Sequence, residues 1–234
     1  MNKDQEYSLG NWSNRYLFPI SKGLYLADPL TSNKSMRLLE ESIDLIYNVG
    51  LEGINFHMIA ERLEVPLSFI QRYFQDKYQL TAYLNEFYWY WLSHWISRYQ
   101  LKTTSVKHRL IISIQCLCHE YSPLKSVQEP FINPLFTILI REPLKQEPFF
   151  LPDLTYSGFN WGFKKLTLIF RDTIEELNPG YPYAENLALV LLEAYKQHVY
   201  ASKYIPEWTS GDSLHHPRYS NFLIDLAMSI LIEK

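Results

Sequence analysis

Apolar residues recur at spacings of three and four along most of the chain, and strict alternation never persists, so the helical period governs what this sequence can bury. The run Leu80, Leu84, Phe87, Trp91, Trp95 and Tyr99 is the longest example. Glycine is scarce, with eight among 234 residues, and neither an internal repeat nor a low-complexity segment is visible. The expectation is an all-α fold. With 47% hydrophobic and 16% aromatic residues, the chain can bury at least one sizeable core in one or two domains.

Punctuation by glycine and proline then divides the chain. Residues 1–32 read as an arm, because Gly10, Pro19, Gly23 and Pro29 interrupt any period while Tyr16 to Phe18 and Leu24 to Leu26 supply apolar mass that should pack on the body. A first helix is expected from a cap at Asn33, with Leu38, Leu39, Ser42, Ile43, Leu45 and Ile46 as its buried stripe and Gly50 as the left-handed residue after it. A short helix over 55–63, capped by Asn55, and another over 66–74, opened by Pro66, are separated only by Glu64 and Val65. Two short helices on so tight a turn form a helix-turn-helix. Asp76 should cap a long helix to about Tyr99, followed by a helix over 105–121. Six of the thirteen prolines then fall in 123–152, leaving room for a short helix over 135–141. Helices over 157–177, 182–203 and 216–233 finish the chain.

Charge and motifs narrow the function. Twenty-two Lys and Arg against twenty-five Asp and Glu leave a net charge of −3, so any contact with nucleic acid must be local. No apolar run approaches the roughly 18 residues of a membrane span, and the polar start at residues 1–5 lacks a signal-peptide core, which points to a cytoplasmic protein without a membrane role. Two cysteines, Cys116 and Cys118, are too few for a disulfide framework; about 200° apart on a helix, they cannot converge on one metal ion. No phosphate loop, nucleophile elbow, zinc-protease pattern or paired-carboxylate signature is present, so neither an enzyme nor a cofactor is expected.

Residues 38–80 carry a more specific pattern: Gly50, Glu52 and Gly53 in the first loop, Ile59-Ala60 in the second helix, Val65 after the turn, and Phe74, Lys77 and Leu80 where the fourth helix begins. This spacing resembles the DNA-binding domain of TetR-family transcriptional regulators. The resemblance implies an arm over 1–32, a three-helix DNA-binding domain over 33–80, and a helical ligand-binding and dimerisation domain over 81–234. It also implies a homodimer that binds palindromic operator DNA and answers to a small-molecule effector. His57, Ser68, Gln71, Arg72 and Lys77 are the candidate DNA contacts: Arg72 suits guanine, Gln71 suits adenine, and Lys77 matches the family's phosphate-contacting lysine.

An alternative keeps the fold and discards DNA, as a helical module for a lipid, an aromatic compound or a protein partner. Ile54, Glu64, Pro66 and Gln71 stand where the family usually has Thr, Gly, Ser and Tyr. Within 34–80 there are five basic residues (Lys34, Arg37, Arg62, Arg72, Lys77) against seven acidic ones (Glu40, Glu41, Asp44, Glu52, Glu61, Glu64, Asp76), which weakens phosphate neutralisation.

In the larger domain, the aromatics of the fourth helix point nearly all round its axis, so that helix must be buried on several sides. Trp91, Trp95, Phe159, Trp161, Phe163, Tyr195 and His198 are candidates to line a site for a mostly apolar effector; ordinary core packing is the competing reading for each. Leu187, Val190, Leu191 and Ala194, with Phe222, Leu223, Leu226 and Ile230, are candidates for a four-helix dimer interface.

Overall fold

The computed structural model describes residues 18–121, 131–141, 161–209 and 217–232. Among them the regular structure is helical throughout: α1 (Asn33–Gly53), α2 (Phe56–Arg62), α3 (Leu67–Gln71), α4 (Lys77–Gln100), α5 (Val106–Leu117), α6 (Ile132–Arg141), α7 (Trp161–Leu177), α8 (Ala184–Tyr204) and α9 (Pro217–Leu231), with three short 3-10 turns. Two compact units divide the chain, Met1–Tyr88 with Pro130–Asn160, and Trp89–Glu129 with Trp161–Lys234. The division falls within α4, and in the first unit α6 packs on α1.

In the first unit, α1 is capped by Ser32, whose hydroxyl accepts from the Ser35 amide at 3.2 Å, so the cap lies one residue before Asn33. All six residues of the expected α1 stripe are buried. Gly50 has φ 78° and ψ 162°, an extended left-handed conformation that only glycine adopts freely. It is therefore a kink rather than a terminal αL residue, and one further turn runs on to Gly53. Asn55 caps α2 by accepting from the Met58 amide at 3.1 Å. Ile59, Ala60, Ile70 and Phe74 are buried between the short helices, with Val65 half-buried beside them.

The turn between α2 and α3 closes as a Schellman motif, with Glu64 N–H donating to the Glu61 carbonyl at 3.1 Å and Val65 N–H to the Ala60 carbonyl at 2.9 Å. Glu64 sits at φ 54°, the left-handed position usually held by glycine. Asp76 caps α4 as expected, accepting from the Tyr78 and Gln79 amides at 2.9 and 2.8 Å.

Residues 18–32 form a strap on this unit. Leu24 is fully buried, Leu26 N–H donates to the Tyr73 carbonyl at 2.8 Å, and Tyr25 meets Tyr83 edge-on. Gln79 ties strap to helix: its Nε2 donates to the Gly23 carbonyl at 3.1 Å while its Oε1 accepts from the Gln75 amide at 2.7 Å. Arg141, at the end of α6, donates to the Ile46 and Tyr47 carbonyls of α1. The helix α6 starts at Ile132, earlier than expected, because Pro134 falls in its first turn, where the missing N–H has no intrahelical partner to lose.

In the second unit, α7 packs on α8 and α5. Arg109 of α5 pairs with Glu176 of α7, and Gln100 donates to Ser113 and Thr173 at 2.8 and 3.0 Å. The end of α5 repeats the Schellman geometry: His119 at φ 57° donates to Cys116 and Glu120 donates to Gln115, again without glycine. Six aromatics of α4, Tyr83, Phe87, Tyr88, Trp89, Tyr90 and Trp91, are each at most 3% exposed, so the all-round burial expected of that helix holds.

Candidate functional site

The helix-turn-helix presents an uncovered outer face. His57 on α2, Ser68 and Gln71 on α3, and Arg72 just after it are all solvent-exposed. The strap reaches the carbonyl of Tyr73 but leaves these four side chains open. Ile70, Tyr73 and Phe74 are buried beneath them, which fixes the orientation of a helix too short to hold itself.

Much of the positive charge of this unit is engaged internally. Lys77 has only 19% of its side chain exposed. Its ammonium donates to the Leu51 carbonyl at 2.9 Å and lies 3.3 Å from Glu52 Oε2, with the Glu52 and Ile54 carbonyls at 3.5 Å. Lys77, the lysine expected at phosphate, here satisfies carbonyls that α1 leaves open at its C-terminus. Arg62 is held at 2.7 Å by Glu41 and at 2.5 Å by Asp44. Lys34 lies 5.3 Å from the centre of the Phe69 ring, which fixes a cation at the start of α1 beside α3. Sequence reasoning did not single out Lys34, because no short-range spacing relates it to Phe69. Arg72 lies against Tyr73, 6.0 Å from the ring centre.

Of the seven residues expected around an effector, Trp91 and Trp95 fall on α4, Trp161 and Phe163 on α7, and Tyr195 and His198 on α8. Phe159 lies outside the described residues. Trp91 and Tyr195 are each 2% exposed. Phe163 meets Trp89 edge-on at 5.0 Å and carries the Lys196 ammonium over its face. Trp95 stacks on Tyr99, and its indole N–H is buried with no acceptor among the described residues. His198 stacks flat on Tyr219 at 3.6 Å. Trp161, by contrast, is 63% exposed at the start of α7.

Basic side chains that the sequence reading passed over lie on the same unit. His94 and Arg98 follow Tyr90 on α4 at steps of four, and Lys165 of α7 places its ammonium 5.6 Å from the centre of the Tyr90 ring. Arg98 sits 5.4 Å from the centre of the Trp95 ring. Burial, and after it the charges of Arg98 and Lys165, hold the His94 imidazole below its ordinary value.

Burial pushes both thiols, Cys116 and Cys118, far above the usual range, which makes them poor nucleophiles. Among the described residues, no group of three His, Cys, Asp or Glu side chains could hold a metal ion, and no helix is long and apolar enough to cross a membrane.

Of the eight residues proposed for a dimer face, Leu187, Leu191 and Leu223 are buried within the chain itself. Val190 and Phe222, each 52% exposed, and Ile230 remain available, and Leu189 joins them. The two last helices thus use one apolar stripe inward and leave a second outside.

Among the described residues this helical arrangement, with its N-terminal helix-turn-helix, shares the fold of a solved structure. The solved structure of AibR in complex with isovaleryl coenzyme A and operator DNA matches it with a TM-score of 0.53 at 12% identity, over 85% of this chain and 98% of that one. A structure described as a tetR-family transcription regulator from Shewanella sp. PV-4 aligns at 17% identity and a TM-score of 0.44, over 83% and 95% of the two chains. Neither family models nor curated protein sequences yield a match to this chain.

Proposed function

We propose that the chain is a ligand-responsive transcriptional regulator that binds duplex DNA as a homodimer, with α3 of each protomer entering a major groove. The observation that carries this reading is the open face of the helix-turn-helix, where His57, Ser68, Gln71 and Arg72 are exposed over a packed core. Arg72 and Gln71 are the base readers of this account, and His57, Ser68 and Lys34 the positioning contacts. Lys77 acts one layer back by holding the end of α1 against the start of α4. A duplex spaces successive grooves at about 34 Å, so two copies must associate. The exposed Leu189, Val190, Phe222 and Ile230 supply apolar surface for that. AibR, which shares the fold, was solved with both an acyl coenzyme A and operator DNA, a precedent for two ligands on one helical scaffold. Such a regulator would act in the cytoplasm on a mostly apolar effector held by the second unit, and would carry out no chemistry.

Fluorescence anisotropy of labelled genomic fragments across a salt series tests the reading. Saturable binding that weakens with salt and survives non-specific competitor supports it. Absence of binding at low salt overturns it.

The engagement of Arg62 and Lys77 favours a second reading, a helical module that has lost DNA and retains a small-molecule or protein partner. Dimer formation without duplex binding is the outcome that selects it.

A further inference from the structure

The helix α3 has five residues and no side-chain cap on its first turn, so it cannot hold its own orientation. Its entrance is fixed from within the helix-turn-helix, by the hydrogen bonds from the Glu64 and Val65 amides to carbonyls of α2. Its exit is fixed from outside. Residues 73–75, which join α3 to α4, are tied to the strap in two ways. The Tyr73 carbonyl, one residue beyond Arg72, accepts from the Leu26 amide at 2.8 Å. The Gln75 amide donates to Gln79 Oε1 at 2.7 Å, and Gln79 Nε2 donates onward to the Gly23 carbonyl at 3.1 Å. Packing closes the same corner: Leu24 is fully buried, and the Tyr83 ring meets both Tyr25 of the strap and Phe74 edge-on, at 5.9 and 5.5 Å. Gln79 is itself buried, and a buried amide whose donor and acceptor are both engaged holds one geometry. Lys77 ties the same start of α4 to the end of α1, so the corner is held by two separate sets of bonds.

We propose that the strap is part of the reading apparatus: Leu26 and Gln79 are positioning residues that fix the exit of α3, and with it Arg72, without touching duplex. This rests on the regulator reading for what Arg72 contacts. A bidentate contact with a base needs two well-aligned hydrogen bonds at once, so its discrimination falls when the donor can swing. Contacts to the phosphate backbone carry no sequence information and tolerate the same motion better. Loosening the strap therefore costs discrimination between base pairs before it costs affinity in general.

The test compares the full chain's affinity for a duplex selected from random sequence with its affinity for the same duplex changed at the base pair to which Arg72→Ala is indifferent. The ratio of the two is the readout. Gln79→Met keeps the bulk and removes both side-chain hydrogen bonds. Leu26→Pro removes the amide that donates to Tyr73, at a place where Tyr25 is already extended (φ −154°, ψ 156°), as a residue before proline requires. Each variant should lower the ratio about fivefold or more. A variant that is merely less stable has a smaller folded fraction, which scales both affinities alike and leaves the ratio unchanged. Amide hydrogen exchange in the wild type needs neither variant nor duplex: Leu26 and Gln75 should be protected together with Tyr73 and Phe74, as one cooperative unit. Folded variants with an unchanged ratio, or Leu26 and Gln75 amides that exchange as freely as exposed loop amides, overturn the positioning role and leave the regulator reading standing. A wild-type chain that binds no duplex at low salt overturns the regulator reading, and the positioning role falls with it whatever the exchange shows.

Discussion

Replacing Glu64 by glycine should stabilise the protein, although it deletes a side chain from a tight turn. At φ 54° the Glu64 backbone is left-handed, a conformation that costs a residue with a Cβ about 1–2 kcal/mol. Glycine removes that strain but loosens the unfolded chain, at about 0.4–1 kcal/mol. The difference is a net gain of about 1 kcal/mol. The Schellman hydrogen bonds from Glu64 and Val65 are backbone to backbone and survive the substitution. For a chain of this size, about 1 kcal/mol corresponds to a rise in melting temperature of about 2–4 °C. Glu64→Ala is the control, since it removes the carboxylate while keeping a Cβ at the same φ. Thermal unfolding followed by circular dichroism should place Glu64→Gly above both wild type and Glu64→Ala. Because the deleted charge lies beside the open face of the helix-turn-helix, both variants should bind duplex more tightly than wild type, and by similar factors. A Glu64→Gly protein no more stable than Glu64→Ala would refute the strain argument.

Lys77→Met should lower stability in urea by about 1.5–3 kcal/mol, because it leaves the α1 carbonyls without their charged donor, while the folded fraction keeps its affinity for duplex. Glu40 has its carboxyl pushed up to about 7 by burial first and by Glu41 second, against the opposing charge of Arg37. A raised folded-state value means that its contribution is fully present below about pH 4.5 and is lost as pH rises through about 7. Glu40→Gln should therefore gain on wild type in chemical denaturation at pH 8 and show no advantage at pH 4. Val190→Glu combined with Phe222→Glu should shift the protein toward monomer in sedimentation while leaving helix content intact, because both side chains are exposed within the protomer.

The helical period made α1, α2, α4 and the last two helices legible, since each buries a stripe whose spacing is written directly in the residues. The helix-turn-helix was legible too, from Asn55, Ala60, Val65 and Phe74. Pairings distant in sequence were not. Nothing local relates Lys77 to the carbonyls of residues 51–54, Arg141 to those of Ile46 and Tyr47, or Leu26 to Tyr73. A lysine at a helix start therefore read as a phosphate contact, with no sign in the sequence that its ammonium also clasps the end of α1. The aromatic residues were ambiguous for a related reason: a ring at helical spacing reads alike whether it meets a core or a ligand. The basic side chains of α4 and α7 were hidden because only Tyr90, His94 and Arg98 share a helix, while Lys165 arrives from 67 residues beyond Arg98.

The slope of log affinity against log salt, measured for wild type and for Arg72→Ala on the same selected duplex, tests the central claim most directly. The account predicts tight, salt-dependent binding by wild type, with Arg72→Ala costing about 1–3 kcal/mol and relaxing the preference for one base pair. Identical affinity and sequence preference in the two proteins, or no measurable slope in either, would contradict it.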